Sequence, residues 1–249
     1  MDFLRGFALV MMILMHLAWD IRYSFGVDVF GFLEARWFWA FVHPFFIVIF
    51  VGVSGVCCTF SRNNVTRGLK LLVVAVLLFC ATFLITKYLK INCLIIFNVL
   101  ALLSVGILLW ALIEFVEKKC HVSPVVTNVL LAFLGSFAIV LGDEISRYDY
   151  KVDNLWLLPV GIKMESMPYQ ADYLPLFPWI GVFLIGCLAG RVCYAQRKTL
   201  FSNASGAVRK ISAPFEFFGK HSLIIYLIHQ PIVFGILYLI FMLIRGRES

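Results

Sequence analysis

Residues 3–19 read FLRGFALVMMILMHLAW, and Arg5 and His16 are the only ionisable side chains among them. As an α-helix this stretch rises about 25 Å, close to the roughly 30 Å of a bilayer's hydrocarbon core. Runs of the same character recur at 38–60, 69–86, 94–115, 125–141, 174–194 and 222–244. Lipid offers no partner to an open backbone group, and no segment alternates apolar and polar residues as a membrane barrel strand does. The runs therefore predict helices, and the fold class expected is an all-α, polytopic integral membrane bundle of about seven transmembrane helices.

Composition agrees. Hydrophobic residues make up 62% of the 249, charged residues 14%, and the mean hydropathy is +0.96, which excludes a water-soluble domain of this size. Aromatic residues reach 16%, with 25 Phe, as suits lipid-facing and interfacial positions. One membrane domain spanning 1–249 is the simplest organisation. His16 and Asp20 stand where a signal-peptide cleavage site would need small residues, so the first run reads as a permanent helix. The seven cysteines contain no C-x-x-C pair and read as small buried thiols, so neither a metal site nor a disulfide framework is expected. Asn64-Val-Thr and Asn203-Ala-Ser match the glycosylation triplet, a weak pattern.

The net charge of +7 has a topological explanation that needs no nucleic acid. With the N-terminus inside, 12 of the 21 Lys and Arg fall on the cytoplasmic side, six of them in the loop 191–221. That bias predicts an N-in, C-out chain whose basic inner face attracts anionic lipid headgroups or a phosphorylated ligand.

Ionisable residues inside membrane helices are expensive and mark function by default. Arg5 and His16 are eleven positions apart, so they share a helix face and stand about 16 Å apart along the axis. That separation suits a molecule with an anionic head at the inner side and a reactive group on a flexible arm near the outer side, the shape of coenzyme A. Asp20, four residues on, can approach the His16 imidazole and raise its basicity, which makes a general base. The plainer alternative has His16 bonding a neighbouring helix and Asp20 ending its helix in water. His43, before Pro44, enters the second helix on the same outer side, either as a second imidazole of one cavity or as an interfacial cap. Ser222, Tyr226 and His229 fall at i, i+4 and i+7 of the last helix, either as a substrate or cofactor stripe or as interhelical hydrogen bonds beside a kink at Pro231. Asn98 reads as polar glue between helices. The acidic, aromatic outer loop 142–172 is long enough to serve as a lid or acceptor platform, although charge runs are usually solvated surface.

Four strings carry a family resemblance across nearly the whole chain: DFLRGFAL at 2–9 with His16 behind it, FVGVS at 50–54, ADYLPLFPWIGVF at 171–183 and GKHSLIIYLIHQP at 219–231. The chain resembles the transmembrane acyltransferases, in particular bacterial members similar to the catalytic domain of heparan-alpha-glucosaminide N-acetyltransferase. The Arg-x10-His spacing of Arg5 and His16 is also similar to the hallmark of the acyltransferase type three group. The resemblance implies acyl transfer from cytoplasmic acyl-coenzyme A to an acceptor beyond the far face of a bacterial cytoplasmic membrane, with His16 as the essential base. Larger relatives have ten or eleven spans where this chain has about seven.

Together these features lead to a membrane acyltransferase using acetyl-coenzyme A as donor and an amino or hydroxyl group of a saccharide or other small molecule as acceptor. His16, Asp20 and His43 form the candidate catalytic set. Arg5, Arg62, Arg67 and Lys220 would bind the donor's phosphates, with Ser222, Tyr226 and His229 also on the donor. Membrane lipids are obligatory partners, and a homo-oligomer is compatible with the sequence. The competing class is a small-molecule permease with intramembrane His and Asp sites, against which the missing inverted repeat counts; a third is an accessory anchor.

Overall fold

A computed structural model describes residues 1–148, 154–162, 172–195 and 206–245, and the described residues are helical with no strand. Six helices among them are long and apolar enough to cross a membrane: Asp2–Ser24, Phe38–Cys58, Asn64–Leu89, Val99–Lys119, Pro124–Arg147 and Ser222–Ile244. Trp179–Cys193 is apolar but shorter. The all-α membrane bundle expected from hydropathy is the fold observed. The chain gathers into two compact units, Met1–Phe50 with Thr199–Ser249, and Val51–Lys198.

In the first unit, α1 (Asp2–Trp19) runs on into a π-helical turn, Asp20–Ser24. A second π-helical turn, Phe38–Val42, leads into α2 (His43–Cys58), whose first half belongs here. The stretch 191–221 was expected as a loop, but Gly206–Lys220 is a helix, here called α7. It is amphipathic, so a search for continuous apolar runs passes over it. It lies along α1, and the final helix, α8 (Ser222–Arg245), follows after His221. Glycine permits the α1–α7 contact: a Cβ on Gly6 would strike the carbonyl of Phe215, and one on Gly219 would strike that of Asp2. The rings of Phe3 and Phe7 pack on Phe215 at 5.3 and 5.9 Å between centroids.

The second unit holds α3 (Asn64–Leu84), α4 (Val99–Lys119), α5 (Pro124–Arg147) and α6 (Trp179–Cys193), with the end of α2. α3 pairs with α4, and α5 with α6. Phe183, Leu102 and Leu131 are fully buried at its core. Small residues again set the crossings, since a Cβ on Gly181 would strike the Gly135 carbonyl and one on Gly186 the Gly52 carbonyl. Leu77 and Phe133, 63% and 65% exposed on α3 and α5, belong to the lipid-facing surface.

Several local expectations change. Asn98 is an N-cap, its Oδ1 accepting the backbone N–H of Leu100 and Ala101, so α4 begins five residues later than its apolar run. α6 begins only at Trp179 because Pro175 and Pro178 cannot continue a hydrogen-bonded helix. Asn64 is 4% exposed and donates to the Cys58 carbonyl at 2.9 Å, which closes it to glycosylation; Asn203 lies outside the described residues. All seven cysteines are thiols outside any disulfide, but Cys80, Cys120 and Cys193 are exposed rather than buried.

Candidate functional site

The polar residues of α1 and α8 meet within the first unit. These helices run in the same direction, so residues of increasing number pair along them: His16 with His229, Asp20 with Gln230, and Phe25 with Phe234. The imidazoles of His16 and His229 lie 5.2 Å apart between centroids. One turn further on, Gln230 Nε2 donates to Asp20 Oδ2 at 2.9 Å, and Ser24 Oγ donates to Asp20 Oδ1 at 3.3 Å. The result is two polar rungs between two apolar helices, with Asp20 only 4% exposed.

The tautomer of His229 follows from its partner. His229 Nδ1 lies 2.6 Å from the Tyr226 carbonyl, and a carbonyl only accepts, so Nδ1 carries the proton. In the neutral ring Nε2 then holds the lone pair, the form required of a base. His229 was expected to contact the donor; its ring contact with His16 makes it part of the same imidazole pair. Tyr226, 5% exposed, packs against the His229 ring at 5.7 Å. Ser222 stands at the first position of α8, two turns before.

His43 belongs to an aromatic relay at the same end of α1. Its ring lies 5.0 Å from Trp39, which lies 5.9 Å from Trp19, and Trp39 Nε1 donates to the Leu33 carbonyl. Arg22 fastens the loop above: Nη1 donates to Asp28 and to the Val29 carbonyl, and Nη2 donates to Glu34 at 2.6 Å.

At the opposite end of α1, Arg5 Nη1 donates to the Gly219 carbonyl at 3.3 Å and lies 3.8 Å from Asp2. Lys220, exposed, follows Gly219 directly, so α7 delivers a second cation to the Arg5 end. Arg62 and Arg67 belong to the second unit, both exposed, with Arg67 donating to Asn64 at 3.3 Å. Sequence reasoning missed Gln230 and Ser24 as members of the site. The available signal was a glutamine directly after a histidine in an otherwise apolar helix.

Within the second unit, Arg191 ties three helices together. Nη1 and Nη2 donate to the two Glu117 oxygens at 2.8 Å each, and Nε donates to Asn128 at 2.7 Å. A cavity of about 290 Å³ opens beside it, lined by Trp110, Glu114, Asn128 and Tyr194 among others. The described part of the loop expected as a lid is packed structure. α5 continues to Arg147, where Asp143 and Glu144 pair with that arginine, and the 3-10 turn Leu155–Val160 holds fully buried Leu158. Tyr173 donates to the Leu158 carbonyl at 2.6 Å, and burial pushes its hydroxyl up to about 12. Asp149, Asp153 and Glu165 lie outside the described residues. No cluster of metal-ligating side chains occurs among the described residues.

The family model described as "Heparan-alpha-glucosaminide N-acetyltransferase, catalytic" matches residues 1–231, a span that includes both polar rungs. No curated protein and no solved structure matches the chain.

Proposed function

This chain belongs to the heparan-alpha-glucosaminide N-acetyltransferase catalytic family of membrane acetyltransferases, and from that membership we propose a specific reaction for it. It moves an acetyl group from acetyl-coenzyme A, bound from the cytoplasm, to an amino or hydroxyl group of a saccharide on the far side of a bacterial cytoplasmic membrane. The observation that carries the reading is the His16–His229 imidazole pair, held inside two apolar helices and backed by the Asp20–Gln230 rung.

His16 takes the proton from the acceptor as its nitrogen or oxygen attacks the thioester carbonyl. The bond to the acceptor forms, the carbon–sulfur bond breaks, and the proton held on His16 passes to the departing thiolate. His229, protonated on Nδ1, holds its lone pair on Nε2, and its ring packs on that of His16. Asp20, one helical turn from His16, favours the imidazolium that forms. His43 closes the outer end of the site through Trp39. Arg5 and Lys220, about 16 Å away along α1, attract the donor's phosphates, and the pantetheine arm spans the distance between. Tyr226 and Ser222 line α8 along that path.

Two measurements test this. The purified protein should be stabilised against heat by acetyl-coenzyme A, by about 2.7 kcal/mol at a hundredfold excess over Kd, an effect a permease or anchor for unrelated cargo does not require. His16→Ala should keep that stabilisation and lose labelled acetyl transfer by about 10²- to 10⁴-fold. Transfer by His16→Ala at the wild-type rate would sink the assignment.

A further inference from the structure

Gln230 holds an acceptor atom that nothing in the reaction described so far uses. A carboxylate accepts and does not donate, so the side-chain amide must turn its NH2 toward Asp20, and Oε1 is thereby directed away from Asp20. Asp20 is fixed in turn by Ser24, which makes the amide a pinned group rather than a rotating one. Its Oε1 is buried and receives no hydrogen bond among the described residues. An acceptor in that condition is costly in an apolar bundle and calls for a donor from outside the protein. The backbone beside it points the same way. Pro231 has no N–H with which to close the helical bond to the Leu227 carbonyl, so this stretch of α8 is rich in acceptors.

Resting on the acetyltransferase reading, we propose that Gln230 is an acceptor-binding residue whose Oε1 receives an N–H or O–H of the acceptor while a second N–H or O–H of the same molecule faces the imidazole pair. His229 is the preceding residue on α8, and its ring meets His16, so the base and Oε1 address neighbouring positions of one bound molecule. The acceptor class this selects carries at least two hydrogen-bond donors close together, as a primary amine or an amino group beside a hydroxyl does. A molecule with a single donor satisfies the base and leaves Oε1 unmet.

The test uses the whole chain in detergent, with labelled acetyl-coenzyme A as donor and methyl α-glucosaminide and its N,3-O-dimethyl derivative, which keeps one N–H and no neighbouring hydroxyl, as probes. Gln230→Met, similar in volume and without a polar acceptor, should raise the KM for methyl α-glucosaminide by roughly 10- to 100-fold, leaving the KM for acetyl-coenzyme A within about twofold. For the dimethyl probe, the same substitution should change KM less. Gln230→Glu keeps an oxygen at the Oε1 position and, in acid, holds Asp20 through a shared proton, so it should recover the wild-type acceptor KM as the pH falls. Stabilisation of each variant by acetyl-coenzyme A shows that it is folded. An unchanged acceptor KM in a folded, active Gln230→Met would overturn the role of Gln230 alone, as would equal losses with both probes. A wild-type protein that forms no acetylated product and gains no stability from acetyl-coenzyme A overturns the acetyltransferase reading and this proposal with it.

Discussion

Replacing Arg191 with methionine should be among the most damaging single changes in the second unit, and its size can be worked out from the contacts. Arg191 makes three charge-assisted hydrogen bonds, two to Glu117 at 2.8 Å and one to Asn128 at 2.7 Å. The paired side chains are only 18% and 16% exposed, so water does little to replace a lost partner. Removing one member of a fully buried pair costs about 3–5 kcal/mol, because the other charge is stranded; the residual exposure lowers the expectation here to about 2–4 kcal/mol. Most of that is the penalty on Glu117 rather than the net worth of the pair. The double variant Arg191→Met/Glu117→Met removes both charges and should therefore be more stable than Arg191→Met, with a coupling energy of about 1–3 kcal/mol. Lys118, 74% exposed and paired with Glu114, is the contrast, since Lys118→Ala should change stability by less than about 1 kcal/mol. Denaturant unfolding in detergent micelles, followed by Trp fluorescence, measures these three variants and the single variant Glu117→Met that completes the cycle. If Arg191→Met falls within 0.5 kcal/mol of wild type, on the order of a surface substitution, or if the double variant merely sums the two single losses, the account of a buried fork is wrong.

Gly219→Val should destabilise the α1–α7 crossing by at least about 2 kcal/mol, because the added carbons collide with the backbone of Asp2 rather than with a side chain that can move; thermal unfolding of the purified variant checks it, and an unchanged Tm would refute the close approach. Tyr173 predicts an alkaline effect of known sign: its pKa is about 12 in the fold against 10.0 ordinarily, so the neutral hydroxyl's contribution is complete below pH 10, and is lost as the pH rises through about 12. Stability measured between those limits should decline less steeply in Tyr173→Phe, and phenolate absorbance should show a late-titrating tyrosine in the wild type that this substitution removes.

The family match and the geometry bear on different parts of the site. Family membership makes the chain a membrane acetyltransferase over residues 1–231. The α1–α8 contact says which side chains are close enough to act together, and it raises His229 from an expected donor contact to the immediate neighbour of His16. The bond from Arg5 to the Gly219 carbonyl holds α7 against α1 at the end where Lys220 emerges.

Hydropathy by itself determined that this is a helical membrane protein and located most of its spans, because burial of a helix in lipid depends on the apolar content of about twenty consecutive residues and on nothing farther away. The spacing of Arg5, His16 and Asp20 along one helix was legible for the same reason. Local signals missed at the edges: the cap formed by Asn98 sets the start of α4, Pro175 and Pro178 shorten α6, and amphipathic α7 hid in what looked like a basic loop. The partners of the polar residues were not legible at all. Gln230 reaches Asp20 across 210 residues of chain, and lipid gives helices no hydrophobic reason to prefer one neighbour over another. That choice belongs to the glycines that let backbones touch and to the polar groups that must find each other away from water. Only the tertiary structure decided that His16 faces His229 and that Gln230 turns an oxygen away from Asp20.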